Sequence, residues 1–279
     1  MSSAVESRPL QAAATAPLLA AEPPSWLAQV RLLTSRVAVE AFRNPVLILN
    51  LLLALLFLVV YDGTVGGVPL LVSFANGNYY NFILPAAILA ASVGGGAAGL
   101  LLVADIRSGY LRRQLTMPIH RSALVTSLML TSACQVVLQA TVVILFGIAL
   151  GADPATGLAG ILCVLGLAFI WGLGFAAYSV AVAVITRDVQ MTSAANLIFI
   201  PLIFLSPLLV PYEYLKPWLQ TAADFNPARY VTEGMRSLLI DGWDGHMLVD
   251  ALAASLAFCL VMGIAAVTAI RFRSLGADE

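Results

Sequence analysis

Residues 157–185 read GLAGILCVLGLAFIWGLGFAAYSVAVAVI, a run with no charged side chain. A transmembrane helix needs about 20 mostly apolar residues to cross a hydrocarbon core roughly 30 Å thick. Five further apolar runs lie along the chain, at 46–61, 80–103, 122–150, 193–210 and 247–270. The sequence therefore predicts an all-α, polytopic membrane protein with six transmembrane helices, of which the first is short for a full crossing.

The composition agrees with the bilayer as the main solvent. Of the 279 residues, 61% are hydrophobic and 10% are charged, whereas soluble domains have about 25% charged residues. The three cysteines lie inside apolar runs without CxxC spacing, and the two histidines belong to no metal-binding signature. We expect packing roles for the cysteines and no metal site.

The distribution of basic residues predicts the orientation. Eleven of the 14 Lys and Arg residues precede the first run, lie between the second and third or the fourth and fifth, or follow the sixth. The connections at 62–79 and 151–156 have none, and 211–246 has Lys216, Arg229 and Arg236. The positive-inside rule then places both termini in the cytoplasm. The excess of Arg over Lys favours a GC-rich bacterial genome, so the predicted location is the bacterial plasma membrane, crossed several times.

Two segments precede the first run. Residues 1–24 are rich in Ala and Pro and lack a secretory signal pattern, which predicts a disordered cytoplasmic tail ahead of one membrane domain at 25–279. In the second segment, apolar residues follow the spacing of one helical face: Trp26, Val30, Leu33, Val37 and Ala41. Charged residues lie off that face: Arg31, Arg36, Glu40 and Arg43. We predict a helix that lies in the membrane interface and ends before Pro45.

Residues 105–121, DIRSGYLRRQLTMPIHR, form the densest cluster of charge in the chain. The apolar side chains can face the membrane or a protein groove while the arginines face away, and Pro118 ends the helix. Two interpretations stay open. The arginines set the topology and contact anionic lipid, or the segment is a docking element for a cytoplasmic partner.

Residues 205–239 contain apolar anchors and several prolines but no run long enough to cross the membrane. Such a segment can form short helices that dip into the outer leaflet and return, provided that its non-helical backbone is buried in protein or lines a cavity. Tyr212, Tyr214 and Trp218 are residue types typical of the lipid–water interface.

Together these segments resemble the ABC-2-type transporter permeases, in particular the daunorubicin-resistance exporter permeases of actinobacteria, over nearly the whole chain. In that family a coupling helix follows the second span, with an acidic start, a Gly, a Leu, basic residues and a Met-Pro. The resemblance implies this role for Asp105, Arg107, Gly109, Leu111, Arg112, Arg113, Met117, Pro118 and Arg121. It also implies that the segment before the first span is the interfacial helix, with Trp26, Arg31, Arg36 and Arg43.

The same family has exofacial re-entrant helices between spans five and six. A Ser, a Pro, a Pro-Trp-Leu, an Asn-Pro and a later Arg mark them. The resemblance implies that the matching positions form an exofacial gate: Ser206, Pro211, Pro217, Trp218, Asn226, Pro227, Tyr230 and Arg236. Asp105 stands where many relatives have Glu, and Pro207 stands where Ser-Gly is common.

The resemblance implies the permease subunit of an ATP-driven exporter. Two such permeases, as copies or paralogues, pair, and two separate cytoplasmic ABC ATPase subunits hold ATP and Mg. The chain has no G-x-x-x-x-G-K-[ST] phosphate loop, so we expect it to bind no cofactor itself and to be no enzyme. Membrane lipid is the other expected partner, and nothing indicates nucleic acid.

The deepest polar side chains in the predicted spans are Asn50, Gln135, Gln139 and Asn196. They either line a substrate path or hydrogen-bond neighbouring helices. A largely aliphatic path favours a hydrophobic or amphipathic solute, such as a drug, a lipid or a lipid-linked glycan. The alternative function is an ion-coupled or facilitative carrier. Two absences from the sequence argue against a carrier. No carboxylate lies at the middle of a predicted span, and no inverted pair of interrupted helices is evident.

Overall fold

Helices make up the regular structure of the described residues, which are 25–43, 45–65, 78–92, 96–110, 113, 120–207 and 210–275 of the computed structural model. In chain order they are α1 Trp26–Phe42, α2 Pro45–Val65, α3 Tyr79–Ser92, α4 Ala97–Arg107, α5 Arg121–Ala149, α6 Gly157–Thr186, α7 Val189–Asn196, α8 Phe199–Phe204, a 3-10 turn Tyr212–Tyr214, α9 Pro217–Asp224, α10 Pro227–Ile240 and α11 Gly245–Leu275. The prediction of an all-α fold is confirmed for this part of the chain.

Four stretches among the described residues are long and apolar enough to cross a membrane. They are Tyr79–Arg107, which holds α3 and α4, then Ser122–Ala149, Gly157–Thr186 and Gly245–Ile270. They coincide with the second, third, fourth and sixth predicted spans. The first and fifth predicted spans correspond to shorter apolar helices, Leu47–Tyr61 and Val189–Phe204. Length and composition therefore support four of the six predicted spans.

The predicted span at 193–210 is not one continuous helix. α7 ends at Asn196, and α8 occupies only Phe199–Phe204. Pro201 explains the break, because it has no N–H to donate to the carbonyl of Leu197 and its ring clashes with that carbonyl. Beside the break, the Tyr178 hydroxyl donates a hydrogen bond of 2.9 Å to the carbonyl of Ala195.

The core is centred on α3 and α6, with α10 and α11 packed around them. Trp171 of α6 stacks on Phe258 of α11 with ring centroids 4.6 Å apart, and its Nε1 donates to Ser92 Oγ at 3.1 Å. Gly99 lets α4 approach α6 closely, since a Cβ at that position would lie 2.3 Å from the carbonyl oxygen of Ser179. The packing role expected of small residues in membrane helices therefore holds for Gly99.

The two ends of the bundle are held by different contacts. At the end that we name the α10 end, Asn81 of α3 donates to the Asp153 carbonyl at 2.6 Å and accepts from its N–H at 3.0 Å. There too, Thr156 Oγ1 donates to the Leu238 carbonyl at 2.6 Å. The opposite end, where α1 begins and α5 starts, is named the α1 end.

Candidate functional site

α1 is fastened to the start of α5. Trp26 Nε1 donates to Ser122 Oγ at 3.2 Å, and the N–H of His120 donates to Gln29 Oε1 at 2.9 Å. Val30 and Leu33 are buried in one cluster with Ala123 and Leu124 of α5. The apolar face predicted to meet the membrane interface is thus largely buried against protein. Among the described side chains of α1, the large apolar ones that stay exposed are Trp26, Leu27, Leu32 and Val39.

An ion pair joins α1 to α4. Arg36 Nη2 lies 3.4 Å from Asp105 Oδ1, and the Arg36 guanidinium lies 3.7 Å from the ring centroid of Tyr110. Asp105 is almost fully buried, so water screens this pair less than a surface pair. Two predicted sets, the interfacial helix and the start of the coupling stretch, therefore meet at Arg36 and Asp105. Arg31 and Arg43 are exposed.

A second ion pair joins α4 to α7. Arg107 Nη2 lies 2.5 Å from Asp188 Oδ2. The other carboxylate oxygen of Asp188 accepts from the N–H of Met191 at 2.9 Å and so caps α7. The hydrogen bond from Met191, together with the charge of Arg107, lowers the pKa of the Asp188 carboxyl. Sequence reasoning missed Asp188; its one signal was an Asp immediately ahead of a helix, in the N-cap position.

Most of the predicted coupling helix lies outside the described residues. This applies to Leu111, Arg112, Met117 and Pro118 and to the side chain of Arg121. Of the remainder, Gly109 has φ of 71°, a left-handed conformation that favours glycine. Arg113 is described and exposed.

At the α10 end, Arg229 is the centre of a polar cluster that sequence reasoning did not single out. It forms ion pairs with Asp224 and with Glu233, the latter at 3.1 Å, and lies 3.5 Å from the ring centroid of Tyr212. The Tyr212 hydroxyl donates to Asp224 Oδ1 at 2.8 Å, and this bond raises the pKa of Tyr212. The cluster fixes the 3-10 turn against α9 and α10. Tyr230 joins it, because its hydroxyl donates to the Asp224 carbonyl at 2.9 Å.

Asn226 and Arg236 attach α10 to the rest of the bundle. Asn226 Oδ1 accepts from the N–H of Ala228 at 3.0 Å, which caps α10, and Pro227 occupies its first turn. Arg236 is buried, donates to the Pro207 carbonyl at 3.0 Å, and lies with its guanidinium 3.7 Å from the ring centroid of Phe82. Ser206, next to Pro207, is also buried.

Of the other predicted gate residues, Pro217 and Trp218 are exposed, whereas Pro211, Pro227 and Tyr230 are half-buried. Pro211 precedes the 3-10 turn and Pro217 is the first residue of α9. Trp218 is 65% exposed, and Phe225 at the end of α9 is 87% exposed. The predicted gate residues therefore separate into a buried group, Ser206, Asn226 and Arg236, an exposed pair, Pro217 and Trp218, and three half-buried residues.

The structure does not bring the four predicted path residues together. Gln135 and Gln139 are buried on α5, and Gln139 Nε2 reaches the Leu47 carbonyl of α2 at 3.4 Å. Asn50 lies on α2, half-buried, three positions from Leu47. Asn196 is the last residue of α7, where its Nδ2 donates to the Gly96 carbonyl at 3.2 Å. In the part of the chain that the structure describes, no group of three or more His, Cys, Asp or Glu is placed to hold a metal ion.

Comparison with known proteins places this architecture in a family. The sequence model for the ABC-2 type transporter matches residues 28–240, from α1 to the end of α10. The chain belongs to the ABC-2 type transporter family. The resemblance inferred from the two segments is confirmed, and this permease family consists of transport proteins, which are not themselves catalytic.

Curated relatives of this ABC-2 transporter chain are about a quarter identical to it over the aligned residues. It is 26% identical over 212 residues to the protein named transport permease ycf38 of Porphyra purpurea. The aligned region covers 75% of this chain and 72% of that protein. The ycf38 protein of Cyanophora paradoxa is 26% identical over 218 residues, 76% and 74% of the two chains. A daunorubicin resistance ABC transporter permease of Streptomyces coeruleorubidus is 25% identical over 238 residues, 83% and 80% of the two chains.

Proposed function

We propose that this chain is the membrane permease of an ATP-driven ABC exporter that moves a hydrophobic or amphipathic solute out of the cytoplasm or the inner leaflet. It pairs with a second copy or a paralogue, and two cytoplasmic ABC ATPase subunits bind ATP and Mg. Its termini face the cytoplasm of a bacterium.

The observation that carries this proposal is the linkage of three helices at the α1 end. Arg36 of α1 pairs with Asp105 of α4, and Arg107 pairs with Asp188 ahead of α7. A force on the segment that follows α4 therefore acts on α1 and α7 as well. An exporter needs such a linked element, because its ATP is bound outside the membrane and the path that must open is inside it.

The cargo class is supported by the neutral side chains buried in the four stretches of spanning length; the buried Arg236 lies outside them, on α10. Apart from Asp105 at the α1 end, the buried polar side chains described in the four stretches of spanning length are Asn, Gln, Ser and Thr. One relative is named for resistance to daunorubicin, which is an amphipathic aromatic molecule with an amino sugar. A drug, a lipid or a lipid-linked glycan fits these surroundings better than an ion does.

The first test is purification of the tagged chain from its native membrane in nanodiscs. We expect a cytoplasmic ATPase in equal stoichiometry, with hydrolysis lost in the double variant Arg112→Glu and Arg113→Glu. Lys216→Glu at the α10 end is the matched control, since it reverses a charge where no ATPase docks. A lone chain that transports without ATP contradicts the proposal and favours the carrier.

A further inference from the structure

α5 carries a column of polar side chains through its middle. Ser127, Thr131, Gln135 and Gln139 recur at every fourth residue, and all four are buried. At a rise of 1.5 Å per residue the column is about 18 Å long. A polar group in a membrane span is costly unless a neighbour satisfies it, so each member of the column calls for a partner.

In the lower half of the column, which is the half nearer the start of α5, each hydroxyl has a hydrogen-bond partner within the helix. Thr131 Oγ1 donates to the Ser127 carbonyl at 2.9 Å, and Ser127 Oγ donates to the Leu124 carbonyl at 2.7 Å. Both bonds run within α5, and each hydroxyl donates to a carbonyl of the preceding turn. The lower half therefore needs no ligand.

The upper half of the column, together with Ser132 beside it, is different. Ser132 Oγ, Gln135 Oε1 and Gln139 Oε1 have no hydrogen-bond partner. Their residues are nonetheless 0%, 3% and 2% exposed. Three such atoms within eight residues of one helix are unusual, because nearly all buried polar atoms in proteins are paired with protein, water or a ligand. Their concentration indicates a place where something else bonds to the chain.

The column runs along the part of α5 that contacts α1 and α2. Leu124 and Leu128 share its stripe, and they pack in clusters with Leu33 and Val37 of α1. Further along the same stripe, Gln139 reaches Leu47 of α2. Gln135 falls between these two contacts along α5, so its unpaired oxygen lies between the part of α5 that packs with α1 and the part that reaches α2.

The neighbouring face of α5 is tightly packed against α6. A Cβ added at Gly172 of α6 would lie 3.1 Å from the Cβ of Val136. Val136 is buried as completely as Gln135, but it belongs to the contact with α6. The two residues are adjacent in sequence and equally buried, but only Gln135 carries polar side-chain atoms, and its Oε1 has no hydrogen-bond partner.

We propose that Ser132, Gln135 and Gln139 form a binding site inside one permease chain for the hydrogen-bond-donating head of an amphipathic solute. Two carboxamide oxygens and a hydroxyl are neutral acceptors, which suit hydroxyl or amino groups. Because nearly all buried acceptors are satisfied by protein, water or a ligand, we expect water to occupy the site when no solute is bound. The inference rests on the proposed function and adds to it the location of the solute head and its chemistry.

The experiment uses cysteine accessibility in nanodiscs. In a chain carrying Cys134→Ala, Cys163→Ala and Cys259→Ala, one cysteine is introduced as Gln135→Cys, Gln139→Cys or Val136→Cys. The probe is a charged methanethiosulfonate reagent, which reacts with thiolates in contact with water. We expect the two glutamine positions to react at least roughly tenfold faster than Val136→Cys, since a thiol in dry apolar packing is inert. Equal inertness of all three overturns the proposal.

Two amphiphiles with the same tail test the head-group chemistry. Dodecyl maltoside carries hydroxyl donors, and dodecyl dimethylamine oxide carries none. Each amphiphile is added below its critical micelle concentration. Dodecyl maltoside is expected to slow labelling of Gln135→Cys several-fold, whereas dodecyl dimethylamine oxide is not. Equal protection by both, or protection by neither, contradicts a site for hydrogen-bond donors.

These readouts separate the site from the transport proposal. Reactive glutamine positions in a chain that binds no ATPase leave the site standing and remove the exporter. Inert positions in a chain that carries its ATPase remove the site and leave the exporter. Gel filtration of each variant confirms that it is folded before labelling, and Gln139→Cys provides a second reading if Gln135→Cys is misfolded.

Discussion

Arg107 and Asp188 are 81 positions apart in sequence, and their side chains meet with Nη2 and Oδ2 2.5 Å from each other. Asp188 divides its carboxylate between this pair and the cap of α7, where it accepts from the N–H of Met191 at 2.9 Å. One carboxylate thus fixes both the orientation of α7 and its distance from α4. Any movement that separates α4 from the start of α7 must break this pair first.

The pair has a defined pH dependence. The pKa of Asp188 is lowered, so its stabilising effect is complete above the unfolded value of about 3.9 and is lost as the pH falls through the lower folded value. We expect the difference in Tm between wild type and Arg107→Met to be constant from about pH 7 to pH 5. It then shrinks in more acidic buffer. A difference that disappears already between neutral pH and pH 5 contradicts this assignment.

Asp188 itself has two functions that substitutions separate. Asp188→Asn keeps a side-chain oxygen for the cap and removes the charge, whereas Asp188→Ala removes both. We expect Asp188→Ala to lower Tm more than Asp188→Asn. Raising the salt concentration narrows the gap between wild type and either variant but leaves the difference between Asp188→Asn and Asp188→Ala unchanged, because salt screens the ion pair but not the cap. Equal Tm losses indicate that the cap contributes nothing.

The Arg36–Asp105 pair is expected to contribute more than the Arg107–Asp188 pair. Asp105 is nearly buried, while both partners of the other pair are well exposed. Removing one partner of a buried hydrogen-bonded charge costs about 1–3 kcal/mol or more. We expect Arg36→Met to lower the unfolding free energy by that amount, with Arg31→Met as the exposed control on the same helix. A cycle with Asp105→Asn measures the coupling, and additive losses rule out a direct interaction.

Helix positions were largely predictable, whereas the contacts between them were not. Uninterrupted apolar runs predicted α5 and α6, and the 3-4 spacing around Val30 predicted α1, because span length and periodicity are local properties. The break at Pro201 was hidden by the apolar character of its neighbours. Asp188 and Arg229 were missed because their partners lie on other elements.

The candidate site shows the same limit. Spacing of four residues correctly predicted that Gln135 and Gln139 share a face of α5. Nothing in the sequence separated them from Asn196, which is equally polar and equally deep in its run. Only packing decides that Asn196 donates to the Gly96 carbonyl while Gln139 reaches the Leu47 carbonyl of α2; the amide oxygen of each has no hydrogen-bond partner.

Close packing at Gly99 is testable with a glycine that lacks it. A Cβ at Gly99 would meet the backbone and Oγ of Ser179 at 2.3 Å, whereas a Cβ at Gly166 of α6 would meet nothing within 4 Å. We expect Gly99→Ala to destabilise the chain by about 1–3 kcal/mol through overpacking. Gly166→Ala is expected to be neutral or slightly stabilising, because alanine is the better helix former. Thermal unfolding in one detergent compares the two, and equal effects contradict the close approach of α4 to α6.

Trp218 and Trp171 allow function to be separated from folding in the same chain. Trp171 is buried and stacked on Phe258, so Trp171→Ala is expected to cost about 3–5 kcal/mol and to lower the amount of protein in the membrane. Trp218 is 65% exposed in the single chain, and a surface substitution of this kind changes stability by about 0.5 kcal/mol or less. If α9 forms part of the exit, Trp218→Ala lowers export while abundance and Tm stay close to those of wild type. A matched fall in abundance instead assigns Trp218 to folding, and unchanged export removes α9 from the exit.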